Sequence, residues 1–434
     1  MERILERASA LAEEAEVFSV TLKETPVGFE TNRLKMLETR ERTTVSLRVI
    51  KNGKIGFATT TRPDDVEKLV AMALETAQFG AAARFSLPSV QTYPQVEVYD
   101  SEVESVSIEK MVELGDNLIS QVRRHTPELV CQAEVTKNIG EVKVINSRGG
   151  QASYQKSLFA VAIEGTLVRD TDMLFVGEFE SSCRPATDFR PLADSVIQQL
   201  ELARRTASVA TGQLPVIFTP RGVRSAFVTP LAIAFNGKMV VQGASPLVGK
   251  QGVRLFDPRL SVWDDAIIAY RLASRPCDDE AMPSQRTALL EGGVVANFLY
   301  DLQTAAIAGT RSTGSASRVR GGMPAPSTSA IIIKEGETAF ADMVRGMKEG
   351  LVVYDLIGAE QGNVLGGEFS GNVLLGYKVE RGEIVGRVKN TMVSGNIFDA
   401  LKELGPIGAE AKWVGGTLRT PAICCSRLGV ASKG

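Results

Sequence analysis

The residue types that most often carry chemistry are scarce in this chain. It has one histidine, His125, and five cysteines: Cys131, Cys183, Cys277, Cys424 and Cys425. One imidazole is too few for a catalytic zinc site built on two or three histidines. A serine or cysteine nucleophile with a histidine base would have to use His125. That residue sits in QVRRHTPE beside two arginines, which reads as the solvated end of a helix rather than as a catalytic base. The cysteines are odd in number, scattered and without a CxxC pair, so neither a disulfide framework nor a zinc knot is indicated. The vicinal Cys424-Cys425 lies in TPAICCSRLGV. Its composition is that of a buried strand, where free Cys behaves as a small apolar residue; redox chemistry is the other reading.

What remains are acids and arginines. Asp264-Asp265 and Asp278-Asp279-Glu280 could bind a divalent cation or share general acid–base work. As a loop and helix cap they would instead pair with nearby Arg271, Arg275 and Arg286. Arg311, Arg318 and Arg320 lie in GTRSTGSASRVRGGMPAPSTS, residues 309–329, and could clamp a carboxylate or phosphate or simply be solvated. That stretch has no apolar period and reads as a long exposed loop, functional or disordered. Its Ser and Thr find no base to pair with. No GxxxxGK[ST] occurs and no GxGxxG is placed after a strand, so nucleotide binding has no support.

The elements that would position these residues fall into two groups. Apolar residues Ile4, Leu5, Ala8, Leu11, Ala12 and Ala15 predict an amphipathic helix over 2–16. Strands are expected at 44–50 and 55–60, joined by KNGK, whose Asn-Gly suits a type I′ turn. Pro63-Asp64-Asp65 opens a helix with Val66, Leu69, Val70, Ala73, Leu74 and Ala77 inward, and another runs over 107–124. Strands at 129–137, 141–147 and 156–168 form an antiparallel meander broken by NSRGG, and a helix over 190–208 follows. From Leu214 a strand over 214–218 leads through TPRG into a helix over 221–236. Beyond 285, short apolar segments alternate with Gly-rich turns, ERGE at 380–383 among them. The class is α+β: an N-terminal mixed helix and antiparallel-sheet domain, 1–208, then a β-rich C-terminal domain, 209–434, with the boundary near 205–213.

Length and charge bound the rest. At about 100–200 residues per domain, 434 residues allow a few domains. Lys plus Arg number 49 against 51 Asp plus Glu, so no field gathers nucleic acid or anionic lipid. No apolar run reaches the roughly 18–20 residues of a spanning helix, and the first twenty residues lack a signal-peptide core. Cytoplasm is the expected location.

Several long segments resemble the TldD/PmbA family. They are SRPCDDEAMPSQRTALLEGGVVANFLYD at 274–301, GLVVYDLIG at 350–358, GEFSGNVLLGYKVERGEIVGRVKNTMVSGNIFDAL at 367–401, and FETNRLKMLETRERTTVSLRVIKNGKIGFATTT at 29–61. The likeness runs in order along essentially the whole chain. It implies one of two branches. TldD-like members are similar to zinc metallopeptidases, with an HExxxH helix and a further Cys ligand near the C-terminus. PmbA-like members, also called TldE, lack those ligands and pair with a TldD-like chain. Laid on the metal helix, Val228 and Ile233 fall at the two His positions, Thr229 at the catalytic Glu, and Ile407 about where the Cys would be. None of these side chains ligates zinc, and Thr229 cannot act as a carboxylate base.

The resemblance therefore implies the PmbA/TldE branch, with neither catalytic residue nor metal in this chain and zinc in a TldD-like partner. It further implies a heterodimer with that partner, or a homodimer, acting on unfolded or precursor peptides, with no nucleic acid and no membrane involved. Arg275, Asp278, Asp279 and Glu280, with Arg318 and Arg320, are expected near a peptide channel, a structural turn being the other reading. The alternative function is a stand-alone regulatory protein of the gyrase-modulator type, acting through protein–protein contacts.

Overall fold

The computed structural model describes residues 1–434 apart from Thr171, Ala186, Thr187, Lys433 and Gly434. The chain first forms α1 (Glu2–Ser9), β1 (Glu14–Glu30), β2 (Arg33–Leu37), β3 (Arg40–Lys51), β4 (Lys54–Thr60), α2 (Val66–Ala77), α3 (Ser101–Ser105), α4 (Ile108–His125), β5 (Val130–Asn146), β6 (Gln151–Arg169), β7 (Asp172–Ser182) and α5 (Arg190–Leu202). The local signals act as the physics requires. Asn52 and Gly53 turn β3 into β4 with φ of 51° and 69°, the left-handed pair of a type I′ hairpin. Asp65 and Ser107 cap α2 and α4, accepting from the Lys68 and Lys110 amides.

Two expectations fail here. The first helix stops at Ser9, and residues 14–30 form a strand that the sequence did not announce. The reason is position: β1 is central and pairs with β3 on one side and β5 on the other. Its charged residues therefore need not mark a surface. The strands expected at 129–137 and 141–147 are one strand, β5, because Asn138–Gly140 continues its ladders with β1 and β6.

The first sheet runs β4-β3-β1-β5-β6-β7, with β2 on β1. Period-two alternation sorts its faces. Ala15 and Val17 of β1 with Val45, Leu47 and Val49 of β3 pack under α1 and α2. Val27 and Phe29, at the other end of β1 and of the same parity, pack with α4 and α5. Glu16 and Phe18 alternate onto the opposite face.

Beyond α5 come β8 (Gly212–Phe218), α6 (Pro220–Ala234), α7 (Gly237–Val241), β9 (Val262–Asp265), β10 (Arg286–Glu291), β11 (Val294–Val295), α8 (Leu302–Ala308), β12 (Ala316–Ser317), β13 (Ala325–Pro326), β14 (Ile331–Ile333), α9 (Phe340–Arg345), β15 (Glu349–Ile357), β16 (Glu368–Glu380), β17 (Glu383–Arg387), β18 (Thr391–Asn396), α10 (Ile397–Ala400), β19 (Leu404–Val414) and β20 (Leu418–Ser432). Strands β20-β18-β16-β15-β8 close on themselves, because β8 pairs with both β15 and β20. Closure leaves this barrel without open edges. β14, β9, β10 and β11 extend the sheet from β20, and β19 pairs along it. The class is α+β. No helix among the described residues is long and apolar enough to cross a membrane.

The segment 309–329 is not the exposed loop that its composition suggests. Gly309 ends α8 in the left-handed region, and Thr310 and Arg311 are exposed, but Gly314–Ala316, Arg318 and Gly321 are buried. Residues 318–322 dock on the first sheet, where the Ser46 hydroxyl donates to the Gly321 carbonyl. A Cβ on Gly321 would lie 2.6 Å from Thr44 Cγ2, so only glycine permits this approach.

Candidate functional site

Helix α6 begins where Thr219 caps it, accepting from the Gly222 amide at 3.3 Å. Gly222 lets the helix settle on the barrel, since a Cβ there would come within 2.4 Å of the Val353 carbonyl. Val223, Ala226, Phe227, Leu231 and Ala234 form its buried stripe. The helix packs against β15, β19 and β20. Four positions of interest lie here. Val228 is half-buried against the core, Ile233 is half-buried, and Ile407 on β19 is buried opposite Ile423. The Thr229 hydroxyl donates to Glu360 of the segment after β15. A shallow cavity of about 500 Å³ lined by Ser225 and residues 356–361 lies alongside.

The donor set does not fit a zinc ion. Three of the four side chains are hydrocarbon and the fourth is a neutral hydroxyl, whereas zinc requires thiolate, imidazole or carboxylate ligands. Glu360 is a single carboxylate. No group of three or more His, Cys, Asp or Glu side chains is arranged to hold a metal among the described residues.

The acids and arginines singled out in the sequence gather elsewhere, at the seam between the two sheets. Asp278 accepts from the amides of Glu280 and Met282 at 2.9 Å each through Oδ1, and from Ala316 at 3.0 Å through Oδ2. Asp279 accepts from Arg275 at 3.3 Å and from the Arg318 amide at 2.7 Å. Glu280 takes the Leu302 amide at 2.8 Å on one oxygen and the Arg48 guanidinium on the other. Arg48 also donates to Glu16 at 3.0 Å, and Glu16 receives Arg318 on its remaining oxygen. Arg48, Glu16, Glu280 and Arg318 have side chains at most 2% exposed. Phe85 lies under Arg48 and Phe18 under Arg318.

The electrostatics follow from burial. Asp278 is pushed up to about 7 by burial and by the Glu280 charge. Burial pulls the Arg48 guanidinium down, but Glu16 and Glu280 overcome it and hold Arg48 above its usual range. For Arg318 burial prevails over Glu16 and lowers it. Lys156 of β6, pulled down to about 8 by burial, donates to the Ser274 carbonyl at 2.8 Å. The structure thus brings together Arg275, Asp278, Asp279, Glu280 and Arg318. Arg320 stands apart, exposed in a left-handed turn with φ of 52°. Glu16 and Arg48 escaped the sequence reading. Their signal was a charge at a polar position of an alternating strand, and that pattern ordinarily means solvent.

The other singled-out groups are structural. Asp264 and Asp265 are adjacent on β9 and so face opposite ways, which excludes joint chelation. Asp264 accepts from the Ser329 amide at 2.6 Å, while Asp265 lies 3.7 Å from Arg286. His125 ends α4 as expected, with its side chain 24% exposed. It contacts Thr126 at 2.9 Å and pairs with Glu201 of α5. The five cysteines are free and buried; burial raises both Cys424 and Cys425.

Comparison with known proteins agrees with this architecture. Residues 15–77 match the model of PmbA/TldA metallopeptidase domain 1, and residues 211–432 match the PmbA/TldA metallopeptidase C-terminal domain. An uncharacterized protein of Methanocaldococcus jannaschii is 28% identical over 94% of both chains. A metalloprotease of Methanothermobacter thermautotrophicus is 24% identical over 92% of this chain and 88% of its own. Among solved structures, TldE from Thermococcus kodakarensis superposes with a TM-score of 0.90 at 22% identity, covering 100% of each chain. A Thermotoga maritima protein described as a modulator of a DNA gyrase gives 0.89 at 22% identity, over 99% of this chain and 100% of its own. The likeness to these two structures establishes the fold, and the family domain at 211–432 spans just over half of the sequence; the chain belongs to the PmbA/TldD metallopeptidase family.

Proposed function

We propose that this chain is the metal-free, TldE-like subunit of a two-chain metallopeptidase that acts on unfolded or precursor peptides in the cytoplasm. The observation that carries this reading is the packing of α6 against β19. Where the family resemblance puts zinc ligands and a general base, this chain has Val228, Ile233, Ile407 and Thr229, of which Ile407 lies in the core and Val228 packs against it. No hydrolytic step runs through its own residues. Its contribution is to form part of a substrate chamber and to hold an extended peptide in register with the partner's reacting centre, which lowers the entropic part of the barrier. Residues 1–208 and 209–434 serve as its two domains. Asp278, Asp279, Glu280, Arg275 and Arg318 support the chamber wall from within, and Arg320 at the exposed end of the same loop meets the peptide.

The experiment is co-purification of the tagged chain from its native cytoplasm, with metal analysis and a denatured-casein assay on the eluate. An HExxxH-bearing partner, zinc and activity that elute together and vanish when the partner is stripped bear the proposal out. Tightly bound stoichiometric zinc or peptidase activity in the isolated chain overturns it. A chain that elutes as an inactive homodimer, without a metal-bearing partner, gives way to the regulatory reading.

A further inference from the structure

The chain's two tryptophans, Trp263 and Trp413, line one groove together with Asp265. Trp413 of β19 pairs in register with Arg419 of β20, Arg419 with Ile332 of β14, and Ile332 with Trp263 of β9. Directly paired residues share a sheet face, so these four side chains form one row across four strands. Their neighbours Val262, Ile331, Ile333, Val414 and Leu418 point the other way, into the core. The row floors an open cavity of about 510 Å³.

The walls are cationic. The Arg271 guanidinium lies over the Trp413 ring, 4.3 Å from its centroid, and that of Arg286 lies over Trp263 at 4.5 Å. Lys334 completes the lining, with the acids Asp265 and Glu335. Glu335 pairs with Arg419, and Asp265 lies 3.7 Å from Arg286. Arg271 and Lys334 have no carboxylate within ion-pair reach among the described residues. Four cations and two acids line the groove, and the Glu180 charge also acts on Arg271, in a chain whose net charge is −2.

We propose that this groove docks an extended acidic peptide segment. A guanidinium seated over an indole can still offer N–H groups to the paired oxygens of a carboxylate. Three strand-to-strand steps put the tryptophans about 14 Å apart, which an extended peptide spans in about four residues. Two carboxylates at that spacing reach Arg271 at one end and Arg286 at the other, with Lys334 and Arg419 between. Each indole already carries an arginine on one face, and two acids sit in the groove. That favours a short acidic segment over a polyanion such as nucleic acid. The proposal stands without the peptidase reading, since the chain alone forms the whole groove.

Tryptophan fluorescence reports on this groove and on nothing else in the chain. The isolated chain is titrated with a synthetic peptide bearing two glutamates about four residues apart. The controls are its glutamine isostere, inorganic phosphate and a single-stranded oligonucleotide. The expected result is a saturable, salt-sensitive change with the acidic peptide only. Arg271→Ala and Lys334→Gln should each weaken it about tenfold, the worth of one charge-assisted contact. Lys334 is exposed, so its variant keeps the test open if Arg271→Ala fails to fold. Equal binding of the isostere, equal saturation by phosphate, or displacement by the oligonucleotide overturns the proposal. So does a signal that tracks protein dilution, which would put a second copy of the chain in the groove. No metal-bearing partner is present, so failure here leaves the peptidase reading intact, and failed co-purification leaves the groove intact.

Discussion

Two buried regions of this molecule contrast. Around α6 and β19, the positions that the family resemblance would give to a metal centre hold Ile407 buried in the apolar core, Val228 packed against it, and Ile233 and Thr229 half-buried. At the seam between the sheets, Glu16, Arg48, Glu280, Arg318, Asp278 and Asp279 are buried with nearly every oxygen and guanidinium edge engaged inside the molecule. The first region offers no metal donors at the positions that the resemblance would assign to them. The second has the donors, but they are spent on holding a loop and two sheets together. Residue type alone therefore does not mark a reactive site; what matters is whether polar atoms face a cavity or face each other.

The contrast is broken most sharply at Arg48. Arg48→Ala leaves Glu16 and Glu280 buried without their shared cation, and should cost about 3–5 kcal/mol, read by urea unfolding. A loss under about 1 kcal/mol, the level of a surface pair, would mean that water reaches the cluster. Next comes the apolar side. Ile407→Ala opens a cavity behind α6 and should cost about 2–4 kcal/mol, with no change in the metal content of the purified chain.

The pH dependence sharpens the comparison further. Burial pushes Asp278 and Asp264 up to about 7, against about 4 in an unfolded chain. Between these values the folded protein holds more protons than the unfolded one. The contribution of these groups to stability is thus complete below about pH 4 and is lost as pH rises through about 7. Asp264→Asn keeps an oxygen for the Ser329 amide and should flatten that fall. Unfolding measured near pH 5 and pH 8 checks it, and an unchanged difference sinks it.

The smallest effects are expected at Thr229 and Arg320. Thr229→Ala removes one exposed hydrogen bond, to Glu360, and should shift stability by no more than about 0.5 kcal/mol. In the complex proposed above it should leave peptide cleavage unchanged, whereas loss of a general base would abolish it. Arg320→Ala should be equally mild for stability but should raise KM for denatured casein in that complex. An unaltered KM would remove Arg320 from the peptide path.

Much of the local structure was legible. KNGK and ERGE place asparagine or arginine with glycine at turns needing positive φ, and Asn52, Gly53, Arg381 and Gly382 adopt it. Asp65 and Ser107 cap helices near the positions that the apolar periodicity suggested. These signals are local and act through a few neighbouring residues. β1 was not legible because its partners lie far away in the chain, and pairing on both sides lets it bury charge. The strap at 309–329 looked solvated because nothing nearby in sequence shows that Thr44 and Ser46 wait beneath Gly321.

The sequence by itself determined the α+β class and the absence of a histidine-built metal site, because helix caps, turn residues and the count of imidazoles are properties of the chain alone. Only the tertiary structure decided that Arg275, Asp278, Asp279, Glu280 and Arg318 serve a buried seam, and that Trp263 and Trp413 share a cationic groove. Both outcomes rest on strand register between distant segments. Register is set by which faces find a core, and not by any residue's immediate neighbours.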